Sequence, residues 1–421
     1  MKKTLLLSSV LVATLFASGY RIPEQSLKGI ALSAANVANA SGADSAYYNP
    51  ANMVFNEDKN SFELLTTMIH LNKVKFQNDN GEVYYSRKED FIVPQFHFTS
   101  KDHNGWRFGF SVTYPAGLSK RWDDTIPEAG AKEFTLKTIE LNPVIAKKVN
   151  ENIGVAFGIR FVKSEGIANV LGLKSNGDGT YTPLYSEYLN GDSFDKGWNA
   201  AVAFRSDDQT LRLAATYRSK INLSLSGDAS GFYNLYLITG NPADAAKVVA
   251  FNTPGKVTVP LPAVLNLAIA KKFGKTTLEF VFDRTYWHSY KKLDFDFKDP
   301  AVNAIFGTPK PKDWKDSNTY RFGITHQCSE KLTAMLGYAY DESPVPNSTI
   351  DFSLPDSDKH IFSGGIKYKL DDRMSVGISA LYTKQKTRRA SVYDPITKTY
   401  TNGEFKEGGA VLFAAGFDYT F

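Results

Sequence analysis

From Ser61 to the last residue, apolar side chains recur at every second position in runs of about ten. Val411, Phe413, Ala415, Phe417, Tyr419 and Phe421 alternate with Leu412, Ala414, Gly416, Asp418 and Thr420. Upstream, Trp106, Phe108, Phe110, Val112 and Tyr114 alternate with Arg107, Gly109, Ser111 and Thr113, and Ile153, Val155, Phe157, Ile159 and Phe161 with Gly154, Ala156, Gly158 and Arg160. Leu278, Phe280, Phe282 and Tyr286 stand opposite Glu279 and Asp283. One face is greasy and the other small or charged, which is the signature of a strand buried on one side. The period alone leaves open a soluble sandwich, with the apolar face inward, and a membrane barrel, with it outward.

The connections separate the two. Strands are predicted near 61–77, 83–100, 106–118, 134–149, 153–167, 197–205, 211–225, 257–273, 276–295, 318–327, 332–341, 360–370, 375–384 and 408–421, fourteen in all. After the first, their linkers alternate short and long, with 168–196 and 226–256 the longest. Short periplasmic turns facing long extracellular loops are the pattern of an outer-membrane barrel. The sheet must close, because a bare edge in hydrocarbon costs several kcal/mol per unpaired backbone group. The predicted fold is therefore all-β, a transmembrane antiparallel barrel of fourteen strands spanning 61–421. An even count puts both chain ends in the periplasm.

The first seventeen residues read as an export signal: Lys2 and Lys3, an apolar run from Thr4 to Phe16, then Ala17, with Ser18 or Gly19 as the mature start. Residues 18–60 are rich in Ala, Ser and Asn and lack alternation, so they are expected to plug the lumen as a hatch. A fourteen-stranded bore is wide enough to leak unless filled. A short helix is expected over Ala31–Ala40, broken by the turn after Tyr47 and Tyr48 at Asn49-Pro50. Composition agrees with the barrel: 13% aromatic residues supply interfacial girdles, and a single cysteine, Cys328, leaves an exported chain without internal disulfides. The 49 basic and 44 acidic residues are interspersed, which argues against nucleic acid. No metal or cofactor motif is present, and His288-Ser289 lacks the partners of a hydrolase. Arg107, Arg160, Arg212, Arg218, Arg321, Glu279 and Asp283 face the lumen, where they could line a diffusion pore or hold the hatch.

The run Ser45-Ala46-Tyr47-Tyr48-Asn49-Pro50-Ala51-Asn52-Met53 resembles the hatch signature of the FadL-type outer-membrane transporters of long-chain fatty acids and aromatic hydrocarbons. Val93-Pro94-Gln95-Phe96-His97-Phe98, Thr216-Tyr217-Arg218-Ser219, Leu261-Pro262, Trp314-Lys315-Asp316 and the stretch Asp341 to Asp356 match in the same order. The resemblance covers the whole mature chain. It implies a monomer in the outer membrane of a Gram-negative bacterium, taking up a hydrophobic small molecule passively and without a cofactor, and assembled through a terminal aromatic, here Phe421. Ligands of the family are captured in an extracellular groove, pass to an inner site, and leave sideways into the membrane lipids through a kink in the third strand.

Pro115, Ala116 and Gly117 supply that kink, since proline removes a ladder donor and glycine a side chain. For capture, the first long loop offers Tyr185 and Tyr188. The second offers Val249 and Phe251 on a helix started by Asn241-Pro242. For a carboxylate, the resemblance places a lysine at Lys310, with Lys312 adjacent. The family's arginine falls on Ala168, and Arg160 on the same strand is the candidate substitute. Gly19-Tyr20 matches the mature start near the inner site, with tyrosine where phenylalanine is common. Without a cation the ligand would be an aromatic hydrocarbon instead.

Overall fold

The computed structural model describes residues 19–178, 180–394 and 399–421, so the expected signal 1–17 lies outside the described residues. Fourteen antiparallel strands form the wall: β1 Ser61–Leu71, β2 Glu89–Thr99, β3 Trp106–Thr113 resuming as Gly117–Arg121, β4 Glu133–Lys148, β5 Ile153–Ser175, β6 Tyr181–Arg205 and β7 Leu211–Arg218 resuming as Ile221–Asn234. They continue as β8 Val248–Leu261 resuming as Ala263–Phe273, β9 Thr276–Tyr286, β10 Ser317–Gln327, β11 Leu332–Asp341, β12 Lys359–Lys369, β13 Met374–Gln385 and β14 Ala410–Thr420. Strand β1 pairs with β2 on one side and with β14 on the other, Ser61 opposite Thr420, so the sheet closes on itself.

The polarity of the wall is that of a barrel in lipid. Leu336 is 62% exposed while Arg321, on the neighbouring strand but facing inward, is 1% exposed. Phe108, Leu278, Phe322 and Phe413 likewise face out, and Arg107, Glu279 and Asp283 are buried inside. A soluble sandwich would reverse this. No helix among the described residues is long and apolar enough to cross a membrane, so the strands are the crossing elements.

The longest expected loops are mostly strand. β5 and β6 stay paired from Ile153↔Phe204 up to Ser175↔Tyr181, leaving only 176–180 between them where the loop 168–196 was expected. β7 and β8 pair as far as Asn234↔Val248, which shortens 226–256 to 235–247. Above the membrane the outer face no longer needs grease, so the alternation fades while the backbone ladder continues. For the same reason Val249 and Phe251 lie on β8 rather than on a helix. Asn241 does cap a turn, its Oδ1 accepting from Ala243 N at 3.1 Å, but the turn is a single 3₁₀ piece, Pro242–Asp244.

Residues 19–60 fill the lumen. The expected Ala31–Ala40 helix is displaced: α1 is Leu27–Ala31, with Ser26 Oγ accepting from Gly29 N as its cap, and Ser33 and Ala34 turn the chain at positive φ. α2 is Ser45–Tyr48, followed by a 3₁₀ turn Pro50–Phe55 in which Asn49 Oδ1 accepts from Ala51 N at 3.2 Å. Tyr47, Tyr48, Asn49, Pro50 and Ala51 are all buried.

Candidate functional site

Most of the inward charges are spent on the hatch. Glu279 accepts from Val37 N and Ala38 N at 2.7 and 2.6 Å, and Glu63 from Leu27 N at 2.9 Å. Arg107 donates to the Asn56 and Glu57 carbonyls, each at 2.9 Å, and Arg321 to the Ser33 carbonyl at 2.8 Å. Hatch residue Arg21 forks onto Asp283, with Nη1–Oδ1 at 2.8 Å, and Arg321 approaches the same carboxylate at 3.4 Å. These charge-assisted bonds satisfy hatch groups that no regular element pairs.

The third strand breaks at Tyr114–Ala116, and the N-terminal segment repairs the ladder from inside. Ile22 N donates to the Pro115 carbonyl at 2.8 Å, and Gly117 N to the Tyr20 carbonyl at 2.9 Å. Gln25 takes both main-chain groups of Tyr114, its Oε1 accepting at 2.8 Å and its Nε2 donating at 2.9 Å. Ala116 N donates to Thr138 Oγ1 at 3.1 Å. On the other side, β2 pairs with β3 only from Thr99↔Gly109 to Phe96↔Val112. Just above that register Gln25 bridges the two strands, its Oε1 accepting from Tyr114 N and from Gln95 Nε2, and higher up the wall meets itself again, with Ser119 and Arg121 donating to Glu89 and Arg87 N to the Arg121 carbonyl.

Over the hatch lies an apolar cavity lined by Leu118, Leu136, Leu189, Leu225, Val257, Val259, Tyr290, Phe295 and Trp314. Its polar contributions include the Tyr20 hydroxyl and Lys312. Tyr20 sits edge-on to Trp287 at 4.8 Å, and Trp314 meets Trp287 and Tyr290 at 4.8 and 4.9 Å. Gly19 is required at the start of this cage: its φ is +69°, and a Cβ would lie 2.6 Å from the Trp314 ring. Lys312 is buried, and its Nζ donates to Asp351 at 2.6 Å. Burial pushes the Asp351 carboxyl up, but the Lys312 ammonium, helped by the Ser353 hydroxyl and the Lys310 charge, holds it below the usual range. Lys310 is exposed and lines no part of this cavity, and the partial desolvation of its ammonium lowers it below the usual lysine value against the pull of Glu187.

The expected residues thus divide between chambers. Tyr20, Lys312 and Ala168 line the apolar cavity, and among the described residues Lys312 is the one cation on its wall. Arg160 lines a separate polar cavity beside the hatch. There it donates to Glu140 at 2.8 and 3.0 Å and to the Ser219 carbonyl at 2.7 Å, while Arg218 shares Glu140 and stacks over Tyr47. A guanidinium so engaged is a structural tie. In the extracellular cluster, Tyr185 and Phe251 both pack on Phe306 at 5.6 Å, with Val249 alongside, whereas Tyr188 points outward. At the rim, His288 pairs with Asp316 and Ser289 donates to the Tyr286 carbonyl. Sequence reading missed Gln25, Asp351 and Tyr290. The aromatic run Tyr286-Trp287 to Tyr290, continuing past the end of a membrane strand, was the available signal for the last.

A closed barrel with a lipid-facing apolar wall, its own N-terminal segment as plug and an apolar chamber above it defines an outer-membrane transport barrel. The family described as "Outer membrane protein transport protein (OMPP1/FadL/TodX)" matches residues 8–421, and the chain belongs to it, an outer-membrane protein of Gram-negative bacteria. It is 26% identical to a long-chain fatty acid transport protein of Escherichia coli O6:H1, over 78% of this chain and 77% of that one. In fold it is similar to a Pseudomonas aeruginosa FadL homologue (TM-score 0.84, 18% identity, 96% of this chain and 99% of that one). It is also similar to the Pseudomonas putida toluene transporter TodX (TM-score 0.68, 17% identity, 94% and 99%).

Proposed function

We propose that this protein takes up long-chain fatty acids by passive diffusion, holding the hydrocarbon chain in the apolar cavity with the carboxylate at Lys312. The observation that carries the reading is the placement of Lys312 on the wall of a chamber otherwise lined almost entirely by aliphatic and aromatic side chains. A buried cation beside a chamber lined by aliphatic and aromatic side chains suits a single-chain carboxylate. Release is sideways between β2 and β3 at Tyr114–Ala116, where Gln25 of the hatch rather than a ladder bridges the strands and can yield without breaking the barrel. The extracellular cluster around Tyr185, Phe251 and Phe306 serves as the capture surface.

The Lys312–Asp351 pair also favours a second reading. A lysine already neutralised, with no second cation on the wall, suits an uncharged aromatic hydrocarbon. Competition decides between them: a fatty acid that displaces a bound fluorescent fatty acid, where toluene does not, supports the first reading and the reverse supports the second. Replacing Pro115 and Gly117 with Thr and Val tests the exit. Uptake should fall while the barrel stays folded, and unchanged uptake rejects it.

A further inference from the structure

The wall carries a second interruption, between β8 and β9. Below it, β8 pairs with β9 up to Ala263↔Tyr286. Above it, pairing resumes from Val257↔Phe295 to Gly255↔Phe297. Between these registers, 258–262 faces 287–294, and among the described residues no backbone hydrogen bond joins the two segments. The inner segment instead dips into the lumen. Trp287 and Tyr290 pack on Tyr20, and Lys312 N and Trp314 N donate to the carbonyls of Lys291 and Tyr290 at 2.8 and 3.1 Å.

The free edge of β8 is built to stay open. Position 260 lies on the gap's lip and position 262 at the break between Leu261 and Ala263. Both are proline and have no N–H to leave bare. The carbonyl of Pro260 is taken by the Tyr20 hydroxyl.

Outside this gap is a groove with Lys256, Thr258 and Pro260 on one lip and Ser289, Lys291 and Lys292 on the other. Its floor is Val257, Tyr290 and Phe295, which also line the apolar cavity within. One layer of side chains separates the two spaces. β9 rises from the tight turn at Gly274-Lys275 and has crossed in eleven residues by Tyr286, about the length that spans the hydrocarbon. The gap therefore opens at the headgroup level of the outer leaflet, and its exposed lysines fit that level.

We propose that this gap is a side entrance, distinct from the β2–β3 opening, through which a single-chain carboxylate dissolved in the outer leaflet passes behind Tyr290 into the cavity, its head guided by Lys256 and Lys291. This rests on the uptake reading above and adds a route from the membrane surface.

The test uses the full chain in lipid nanodiscs, with Cys328→Ser to remove the native thiol and Trp106→Phe and Trp198→Phe to silence the lipid-facing indoles. Thr258→Cys is capped after folding with a bulky maleimide polymer, and energy transfer from the remaining tryptophans to a polyene fatty acid follows loading by stopped flow. Capping should slow loading about tenfold or more with the end point unchanged, because a blocked route alters the on-rate and leaves the affinity alone. In the uncapped protein, Lys256→Met with Lys291→Met should slow the fatty acid and leave the matching fatty alcohol unaffected. Equal rates with and without the cap overturn the entrance alone. No transfer in the uncapped protein overturns the uptake reading and the entrance with it.

Discussion

The phenol of Tyr20 donates to the main-chain carbonyl of Pro260, tying the first described residues of the chain to a strand edge that has no other partner there. Tyr20→Phe keeps the ring in its aromatic cage and strips this bond. An acceptor left bare in an apolar setting costs about 1–3 kcal/mol. The N-terminal segment should loosen, and hydrogen exchange at Gly117 N, which donates to the Tyr20 carbonyl, should quicken. Unaltered protection at Gly117 would count against this role.

Asp283 compensates Arg21 from the hatch and Arg321 from the wall. Asp283→Ala leaves two buried guanidinium groups facing each other. Breaking one side of a buried ion pair costs about 3–5 kcal/mol. The loss should appear as an unseated hatch in an intact barrel, giving large conductance steps in planar bilayers where the parent shows little steady current. A silent variant rejects the assignment.

Gly337 faces the hatch so closely that a Cβ would lie 2.2 Å from the Leu32 carbonyl carbon. Backbone cannot yield as a side-chain tip can. Gly337→Val should therefore evict α1 from the lumen, and a protease added from the periplasmic side should cut within 19–60 while 61–421 survives.

If a ligand carboxylate binds at Lys312, Lys312→Met should weaken a fatty acid by about 1.5–3 kcal/mol, the worth of a hydrogen bond to a charged group, and leave the corresponding alcohol within a factor of about two. Isothermal titration with both ligands measures this. Equal losses for acid and alcohol would show that Lys312 only shapes the cavity.

The carboxyl of Asp351 is held below its ordinary range, chiefly by Lys312 acting against burial. A group depressed in the folded state contributes stability that is fully present above its unfolded pKa, near 4, and is lost as pH falls through its folded value. The difference in thermal midpoint between the parent and Asp351→Asn should accordingly be flat from pH 8 to 5 and shrink only below about pH 4. A difference that vanishes by pH 6 would contradict the pairing.

The barrel was legible because lipid enforces alternation: on β9, Leu278 and Phe280 must be apolar and Glu279 need not be. Where the strands rise above the membrane that pressure ends, and the extracellular reaches of β5 and β6 read as loop although they remain paired to Ser175↔Tyr181. Pro115 and Gly117 announced a break in β3, since their effect on a ladder is local. The proline pair at 260 and 262 was equally visible but could not be read as a second break, because only the fold shows which neighbour those positions address.

Residue type alone determined the closed sheet, its strand count and the presence of a plug, since each follows from a rule acting within a short stretch of chain: period two, turn chemistry, or a lumen too wide to leave empty. The roles of the charges were decided by tertiary structure. Arg160 and Lys312 are both inward cations, yet one is bound to Glu140 beside the hatch and the other stands on the wall of the apolar cavity. That difference depends on which distant segments close around each, over separations at which the sequence carries no local signal.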